Sequence, residues 1–477
     1  MAVFCRRLAA MPLRAKITIP SQTRSMSSKN DSDQVLFTSN YGVRTVILNS
    51  PRNLHALDLE MIEGITPRLL EWENSELAKI IVLKSNGTRA FCAGGDVKSL
   101  VTFLQQKDSA GISQAVAYFR KEYQLDHTIA TYSKPCVAFM DGITMGGGAG
   151  LSMHAPFRIA TENTIFAMPE TAIGLFPDVG GAFFLSRLEG QLGKFLGVTS
   201  ERVSAFDCLL TGIATHYVSS SNLSALEARL AELESSDLNL IDQTIAEFSG
   251  VKEPSIQLQY VGKQREAIDR CFAGDTIDTI LSTLRSEKSP WSQKQIETIQ
   301  SRSPTSVAFF LRHSQEAKSW SIDQTFSRDL VFAKKFMEHP DFVEGVTARL
   351  FSSPPVTPTW TPASFGELRV SHIARFFEQS PDDPRLNLPE RLNRQINYEQ
   401  YPHAEYGLPT EEEIRKVITG QDPDAGASAF TANDVVEFFQ RRKNGKTGVR
   451  EKVLDIVGRK GHKNEEQGVL EWIGRAD

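Results

Sequence analysis

The sequence contains few cysteines, and their arrangement defines neither a disulfide framework nor a zinc site. They form no CxxC pair and have no histidines at zinc-ligand spacing. We therefore expect no metal site and a reducing compartment, in which each cysteine is a small buried apolar side chain. The five cysteines are Cys5, Cys92, Cys136, Cys208 and Cys271.

Long apolar runs and a strong charge of either sign are also absent. No uninterrupted apolar stretch reaches the roughly 18 residues that a membrane-spanning helix needs, so we expect no membrane partner. The net charge of -5 and the isoelectric point near 6.1 create no overall field that would attract nucleic acid. Any contact with nucleic acid must therefore be local.

The N-terminal segment lacks acidic residues until Asp31 and is rich in arginine, lysine and serine. No unbroken apolar core follows its first basic residues, because Arg14 and Lys16 interrupt it, which argues against a secretory signal. This composition predicts a mitochondrial transit peptide over residues 1–28 and a location in the mitochondrial matrix. The alternative is a disordered basic tail.

After residue 33, the predicted secondary structure and the composition change along the chain. Residues 33–225 alternate strand and helix patterns, beginning with a β-hairpin around Asn40-Tyr41-Gly42, and predict a mixed α/β core. A helix over residues 57–74 is expected to be kinked or split at Pro67. Residues 226–355 read as amphipathic helices. The Pro-rich stretch Ser352–Phe365 predicts the end of the compact body, so residues 356–477 read as a linker and a partly basic C-terminal extension.

Two glycine-rich stretches each follow a predicted strand: "FCAGGDVKSL", from Phe91, and "GITMGGGAGLS", from Gly142. Loops without side chains at strand ends can each present a backbone N–H group to one oxygen atom, which is what an oxyanion hole requires. Gly95 and Gly147 are the natural donors. Neither stretch fits a phosphate-binding GxxxxGK[ST] or GxGxxG motif. A tight turn or a close helix crossing is the alternative explanation.

A third stretch, "FAMPETAIGLFPDVGG", embeds Glu170 and Asp178 among apolar, glycine and proline residues. Carboxyl groups in such surroundings tend to have raised pKa values, which suits them to acid/base or nucleophilic catalysis. Helix capping or a structural hydrogen bond would also account for either residue alone.

In these three motifs, taken in order and spacing, the chain resembles the crotonase (enoyl-CoA hydratase/isomerase) superfamily, and within it the 3-hydroxyisobutyryl-CoA hydrolases. The resemblance covers roughly Asp33 to Phe377. It implies a (ββα)n spiral core followed by a helical region and a C-terminal extension. It also implies that Gly95 and Gly147 donate to the thioester oxygen of a coenzyme A substrate.

The resemblance also assigns the carboxylates. Glu170 matches a catalytic glutamate of the family, Asp178 matches an aspartate that the hydrolases add, and Glu122 matches their substrate-contacting glutamate. The second glutamate of the hydratases falls on Gly150, which disfavours hydration. The implied reaction is hydrolysis of 3-hydroxyisobutyryl-CoA to 3-hydroxyisobutyrate and coenzyme A in valine breakdown, with no cofactor other than the coenzyme A of the substrate.

Two alternatives stay open at this point. One is another crotonase reaction, such as hydration or isomerisation of an acyl-CoA. The other is a component of the mitochondrial small ribosomal subunit that is similar to this hydrolase, with the basic segment Arg441–Lys463 contacting RNA phosphates. Crotonases commonly form trimers, so a homo-oligomer is expected unless the C-terminal extension prevents it.

Overall fold

A β-hairpin opens the described part of the chain, as the sequence predicts. The computed structural model describes residues 33–106, 109–250, 258–391, 397–426, 430–464 and 469–473. Strand β1, Val35–Asn40, pairs antiparallel with β2, Val43–Leu48, through a tight turn at Tyr41, whose φ is 46°. The predicted transit peptide, residues 1–28, lies outside the described residues.

The remaining strands divide between two larger sheets and a small C-terminal hairpin. One sheet has the order β1-β2-β3-β5-β7-β10, a second has the order β4-β6-β8-β9, and β11 pairs with β12. Their bounds are β3 Ile80–Ser85, β4 Ala90–Cys92, β5 Cys136–Met140, β6 Ile143–Met145, β7 Phe157–Ala160, β8 Ile165–Ala167, β9 Val203–Ser204, β10 His216–Tyr217, β11 Gly461–Lys463 and β12 Leu470–Trp472.

Helices connect these strands, and most of the elements after β10 are helices. They are α1 Leu59–Asn74, α2 Val97–Leu104, α3 Ser109–Ala130, α4 Gly147–Met153, α5 Gly181–Leu185, α6 Leu192–Thr199, α7 Ala205–Leu210, α8 Leu223–Leu233, α9 Leu238–Phe248, α10 Gly262–Cys271, α11 Ile277–Glu287, α12 Pro290–Gln300, α13 Pro304–Glu316, α14 Ile322–Met337, α15 Pro340–Val346, α16 Val370–Phe377, α17 Glu411–Ile418, α18 Ala432–Arg442 and α19 Val449–Lys460. Among the described residues, no helix is both long and apolar enough to cross a membrane.

From β3 to β8, successive strands alternate between the two larger sheets, which confirms the expected spiral α/β core. Strands β3, β5 and β7 run parallel in the first sheet, while β4, β6 and β8 run parallel in the second. Each pair of strands is followed by helix, so the chain repeats a ββα unit. Strand β5 is buried at every position, and this explains why its sequence is a continuous apolar run.

The helical part of the prediction is largely confirmed. Helices α8, α9 and α11 lie where amphipathic patterns predict them. The expected split at Pro67 is wrong, because α1 continues through that residue as one helix of 16 residues. Asp58 caps its first turn by accepting a hydrogen bond from the Met61 amide at 2.9 Å. The long helix α14 packs along α3.

The expectation that the compact body ends at Ser352–Phe365 is wrong. The described residues from Gln34 onward form one compact unit, and helices α17, α18 and α19 bury their apolar faces in it. A hydrogen bond also connects helix α19 to α10, because the Asp455 carboxylate accepts from the Gly262 amide at 2.6 Å. Composition alone does not separate a polar linker from a polar helix that buries one face. The proposed domain boundaries stay predictions.

We predict that Ile456→Ala lowers the free energy of unfolding of the whole protein by about 2–5 kcal/mol, since its side chain is fully buried on α19. Urea denaturation followed by intrinsic fluorescence measures this change. Leu454→Ala, at a position that is 37% exposed on the same helix, is the control and should change it by less than about 0.5 kcal/mol. An unchanged main transition in Ile456→Ala would show that the C-terminal helices unfold independently.

Candidate active site

Three neighbouring parallel strands bring the three sequence motifs to one edge of the second sheet. Ala90 of β4 pairs with Ile143 of β6, and Met145 at the end of β6 pairs with Ala167 at the end of β8. The strands are parallel, so their carboxyl ends lie together. The loops that follow them carry Gly95, Gly147 and Glu170, and the predicted site residues therefore meet.

The two glycine loops touch each other through their backbones. A methyl group added at Gly147 would lie 3.2 Å from the Gly95 amide nitrogen and 2.6 Å from Oε1 of Glu122. Gly146, which precedes α4, has a φ of 47°, a backbone conformation that side chains disfavour. Within the described ranges, the Gly95 and Gly147 amides donate to no backbone carbonyl outside regular elements. Both N–H groups are therefore available to one ligand oxygen.

Glu122 and Glu170 lie next to these glycines and belong to two different elements. Glu122 projects from the middle of α3, and Glu170 opens a short 3-10 turn, Glu170–Ile173, directly after β8. A methyl group at Gly146 would lie 3.0 Å from Oε1 of Glu170. Burial, and then the charge of Asp178, raises the pKa of both glutamates. Their carboxyl groups thus hold protons more firmly than exposed glutamates do.

Asp178 lies in the loop before α5 and completes the set of predicted residues. Its Oδ2 accepts a hydrogen bond from the Tyr123 hydroxyl at 2.6 Å. Burial raises the pKa of Asp178 to about 7, although the hydrogen bond from Tyr123 acts in the opposite direction. A carboxyl group that titrates near neutrality can both accept and return a proton at physiological pH.

A fourth buried carboxyl group, Asp126, is part of the cluster and was not predicted from the sequence. It lies one turn after Glu122 on α3, and neither of its oxygens has a hydrogen-bond partner among the described residues. A methyl group at Gly150 would lie 2.5 Å from its Oδ2, so this carboxyl group fills the space above Gly150. Burial, and then the charge of Glu122, raises the pKa of Asp126. The i, i+4 spacing of the two acids in "EYQLD" was the available sequence signal.

The arrangement combines hydrogen-bond donors with carboxyl groups that carry protons. No lysine, arginine or histidine nitrogen is paired within 4.0 Å with Glu122, Asp126, Glu170 or Asp178 in the described part of the chain. Four buried acids without a cation cannot all be ionised, because repulsion and desolvation both favour the neutral form. Chemically, the site can stabilise an oxyanion and pass a proton between neighbouring carboxyl groups.

Comparison with known sequences identifies the family. The sequence profile of the enoyl-CoA hydratase/isomerase family matches residues 43–377. The chain belongs to this family. Among solved structures, a carnitinyl-CoA dehydratase from Mycobacterium thermoresistibile superposes on this fold with a TM-score of 0.67 at 32% identity, covering 74% of this chain and 98% of its own.

Curated relatives within the enoyl-CoA hydratase/isomerase family fall into two groups. Small ribosomal subunit protein mS47 of Neurospora crassa is 42% identical over 98% of this chain and 95% of its own length. The mitochondrial 3-hydroxyisobutyryl-CoA hydrolase of Danio rerio is 39% identical over 76% of this chain and 94% of its own length. The hydrolase is thus similar to about three quarters of this chain, and the mS47 relative is similar to nearly all of it.

We predict that Asp178→Asn gains stability relative to the unmodified protein as pH rises from about 4 to about 7. Folding raises the pKa of Asp178, so the stability that its protonated form contributes is present at low pH and is lost as pH rises through the folded value. Urea denaturation at pH 5 and pH 8 measures the difference. Asp382→Asn, at an exposed position, is the control. An equal effect of Asp178→Asn at both pH values would contradict the raised pKa.

Proposed function

We propose that the protein hydrolyses the thioester of 3-hydroxyisobutyryl-CoA to 3-hydroxyisobutyrate and free coenzyme A. The convergence of the Gly95 and Gly147 backbones with the buried Glu170 carboxyl group at one sheet edge carries this proposal. The 39% identity to the Danio rerio hydrolase, over nearly all of that protein, supports the choice of substrate. Coenzyme A enters as part of the substrate, and the proposed chemistry requires no resident cofactor or metal.

In the proposed mechanism, the Gly95 and Gly147 amides donate to the thioester carbonyl oxygen. Negative charge develops on that oxygen as the carbonyl carbon is attacked, and losing one such donor typically costs about 2.7–4 kcal/mol of barrier. Because both donors are backbone groups on loops fixed by adjacent strands, they need no rearrangement when the charge develops. A side chain at Gly95 would collide with the Tyr118 hydroxyl, and one at Gly147 would collide with Oε1 of Glu122, so both positions require glycine.

Glu170 takes part in the attack on the carbonyl carbon in one of two ways, as general base or as nucleophile. It removes a proton from a water molecule that attacks the carbonyl carbon, or it attacks directly and forms an anhydride that water then opens. In both routes the carbon–sulfur bond breaks and the leaving thiolate takes up a proton. Asp178, whose pKa is raised to about 7, is suited to hold that proton and to return it.

The surroundings of Gly150 favour hydrolysis over hydration. Without a side chain, residue 150 cannot provide the second hydratase carboxylate, and the Asp126 carboxyl group already occupies the adjacent space. Glu122, whose Oε1 lies next to Gly147, contacts the acyl part of the substrate in this proposal. The Danio rerio hydrolase is named as a mitochondrial protein. We extend this location to the present chain, and we place its reaction in the matrix and in valine breakdown.

Glu170→Gln is expected to lower kcat for thioester hydrolysis by about 10²–10⁴-fold, because the amide keeps the shape of the side chain but is neither a base nor a nucleophile. KM should change little. Release of free thiol from a panel of short 3-hydroxyacyl-CoA thioesters measures the rate. Glu451→Gln, at an exposed position on α19, is the control. Retention of the normal rate, or hydration of crotonyl-CoA without thiol release, would exclude the proposed function.

A second candidate function, as a component of the mitochondrial small ribosomal subunit, is favoured by the mS47 relative that matches 98% of this chain. The basic segment Arg441–Lys463 was the predicted contact with RNA, but much of its charge is used inside the molecule. Lys446 pairs with Asp242 at 2.8 Å, and Lys460 pairs with Glu411 at 3.1 Å. Lys452 pairs with Glu189 as well. A ribosomal contact through this segment must therefore use its exposed cations, such as Arg441 and Arg450.

If the protein binds the mitochondrial small subunit through this segment, it should co-sediment with that subunit at moderate salt. The double variant Arg441→Glu/Arg450→Glu should weaken this association, because both side chains are exposed and phosphate contacts depend on charge. Arg68→Glu, on α1, serves as the control for a charge change elsewhere. Absence of co-sedimentation of the unmodified protein would remove this candidate and leave the enzymatic proposal intact.

A further inference from the structure

A cavity of about 340 Å³ lies between helices α4, α5 and α7 on one side and residues 400–410 of the C-terminal segment on the other. Its wall includes Arg158 of β7, Arg187 after α5, and residues 400–410 of the segment that leads into α17. None of the proposed catalytic residues lines it. Its volume is at the lower end of the range of small-molecule sites. The cavity is therefore separate from the thioester site and has no role in the mechanism above.

Arg158 is buried in this wall without an acidic partner. Its Nε donates to the Ile213 carbonyl at 2.7 Å and its Nη1 to the Ala155 carbonyl at 2.9 Å and the Tyr401 hydroxyl at 3.0 Å. Its Nη2 donates to the Gly212 carbonyl at 3.2 Å. All of these acceptors are neutral, and no carboxylate of the described residues pairs with this guanidinium within 4.0 Å. Most N–H groups of Arg158 thus have a hydrogen-bond acceptor, but no negative charge among the described residues neutralises the guanidinium.

Arg187, on the same wall, is held in a similar way. Its Nη2 donates to the main-chain carbonyl of Glu399 at 2.8 Å and to that of Trp320 at 3.1 Å, and its guanidinium lies 3.5 Å above the Phe183 ring. Burial lowers the pKa of Arg187 to about 10, so it stays positively charged at neutral pH. The exposed Glu399 carboxylate acts on it only from a distance.

The other ionisable groups of the wall do not balance these two charges. Glu189 is the acidic residue of the wall, and although burial acts to raise its pKa, the charges of Lys452 and Arg265 lower it. Its negative charge is thus shared with those two cations. His154 and His403 also line the cavity, and burial lowers the pKa of each to about 4, so both are neutral at physiological pH.

The rest of the wall is apolar and includes Phe184, Leu209 and Leu408. We propose that the cavity binds a small organic anion, a carboxylate on an apolar chain, with its charge near Arg158 and Arg187 and its chain against these side chains. A buried cation without a counter-charge is unfavourable, and an anionic ligand would remove that penalty. Because residues 400–410 form one side, the site depends on the C-terminal segment.

Isothermal titration calorimetry of the full-length mature protein tests this assignment with three probes. Sodium octanoate has both the charge and the chain, 1-octanol has the chain alone, and inorganic phosphate has charge without a chain. We expect octanoate to bind at least about tenfold more tightly than either of the others, because only octanoate both offsets the buried cationic charge and buries an apolar chain. Equal affinity for octanoate and octanol, or for octanoate and phosphate, would overturn the ligand class.

Two variants locate the binding. Leu408→Trp fills the cavity from the C-terminal segment and should weaken octanoate binding at least about tenfold while thioester hydrolysis is unchanged. Leu77→Trp, at a position that is 75% exposed, is the matched control. Arg187→Met should weaken octanoate but not octanol, and its partial exposure makes it safer for folding than a change at Arg158. Octanoate binding that survives Leu408→Trp would place the ligand elsewhere and contradict the proposal.

Discussion

The close approach of α3 to the glycines that open α4 is the constraint on which the rest of the site depends. Glu122 lies against Gly147 and Asp126 against Gly150, so two carboxyl groups one turn apart on α3 face two glycines nearly one turn apart on α4. No larger residue fits at either position without moving a buried acid. The proposed donor Gly147 and the two acids of α3 are thus set by one helix–helix contact.

This contact has an electrostatic consequence. Four buried acids share a small volume, and the described residues place no cation beside them, so protons must provide the neutralisation. The surroundings of the acids differ, since Asp178 accepts a hydrogen bond from Tyr123 whereas Asp126 accepts none from the residues that the structure describes. Unequal environments separate the proton affinities of neighbouring carboxyl groups, which allows one to act as a base while another holds a proton.

Local signals in the sequence predicted the elements whose causes are local. The hairpin follows from its turn, and the glycine loops follow from backbone positions that exclude side chains, so Gly95, Gly147 and Glu170 could be predicted to meet. The resemblance to a family added the roles of Glu122 and Asp178, which spacing alone would not assign. Asp126 was missed because its importance arises from packing against Gly150, a contact across 24 residues of chain.

The C-terminal segment was misjudged for a related reason. Its prolines and charges resemble a linker, but the partners of its cations are more than 200 residues away in sequence, as for Lys446 with Asp242 and Lys452 with Glu189. A periodic pattern shows that a helix has an apolar face, and it does not show what covers that face. Tertiary contact therefore decides whether such a segment is a tail or part of the core.

These ion pairs also show that the C-terminal helices attach away from the proposed active site. The proposed thioester site is positioned by β4, β6, β8 and α3, whereas the C-terminal helices attach through α9, α10 and the residues around Glu189. The extension can therefore acquire a partner or a ligand without displacing Gly95, Gly147 or Glu170. This separation is consistent with a family in which similar chains are named both as hydrolases and as ribosomal proteins. Catalysis and association need not exclude each other in one chain, because different residues carry them.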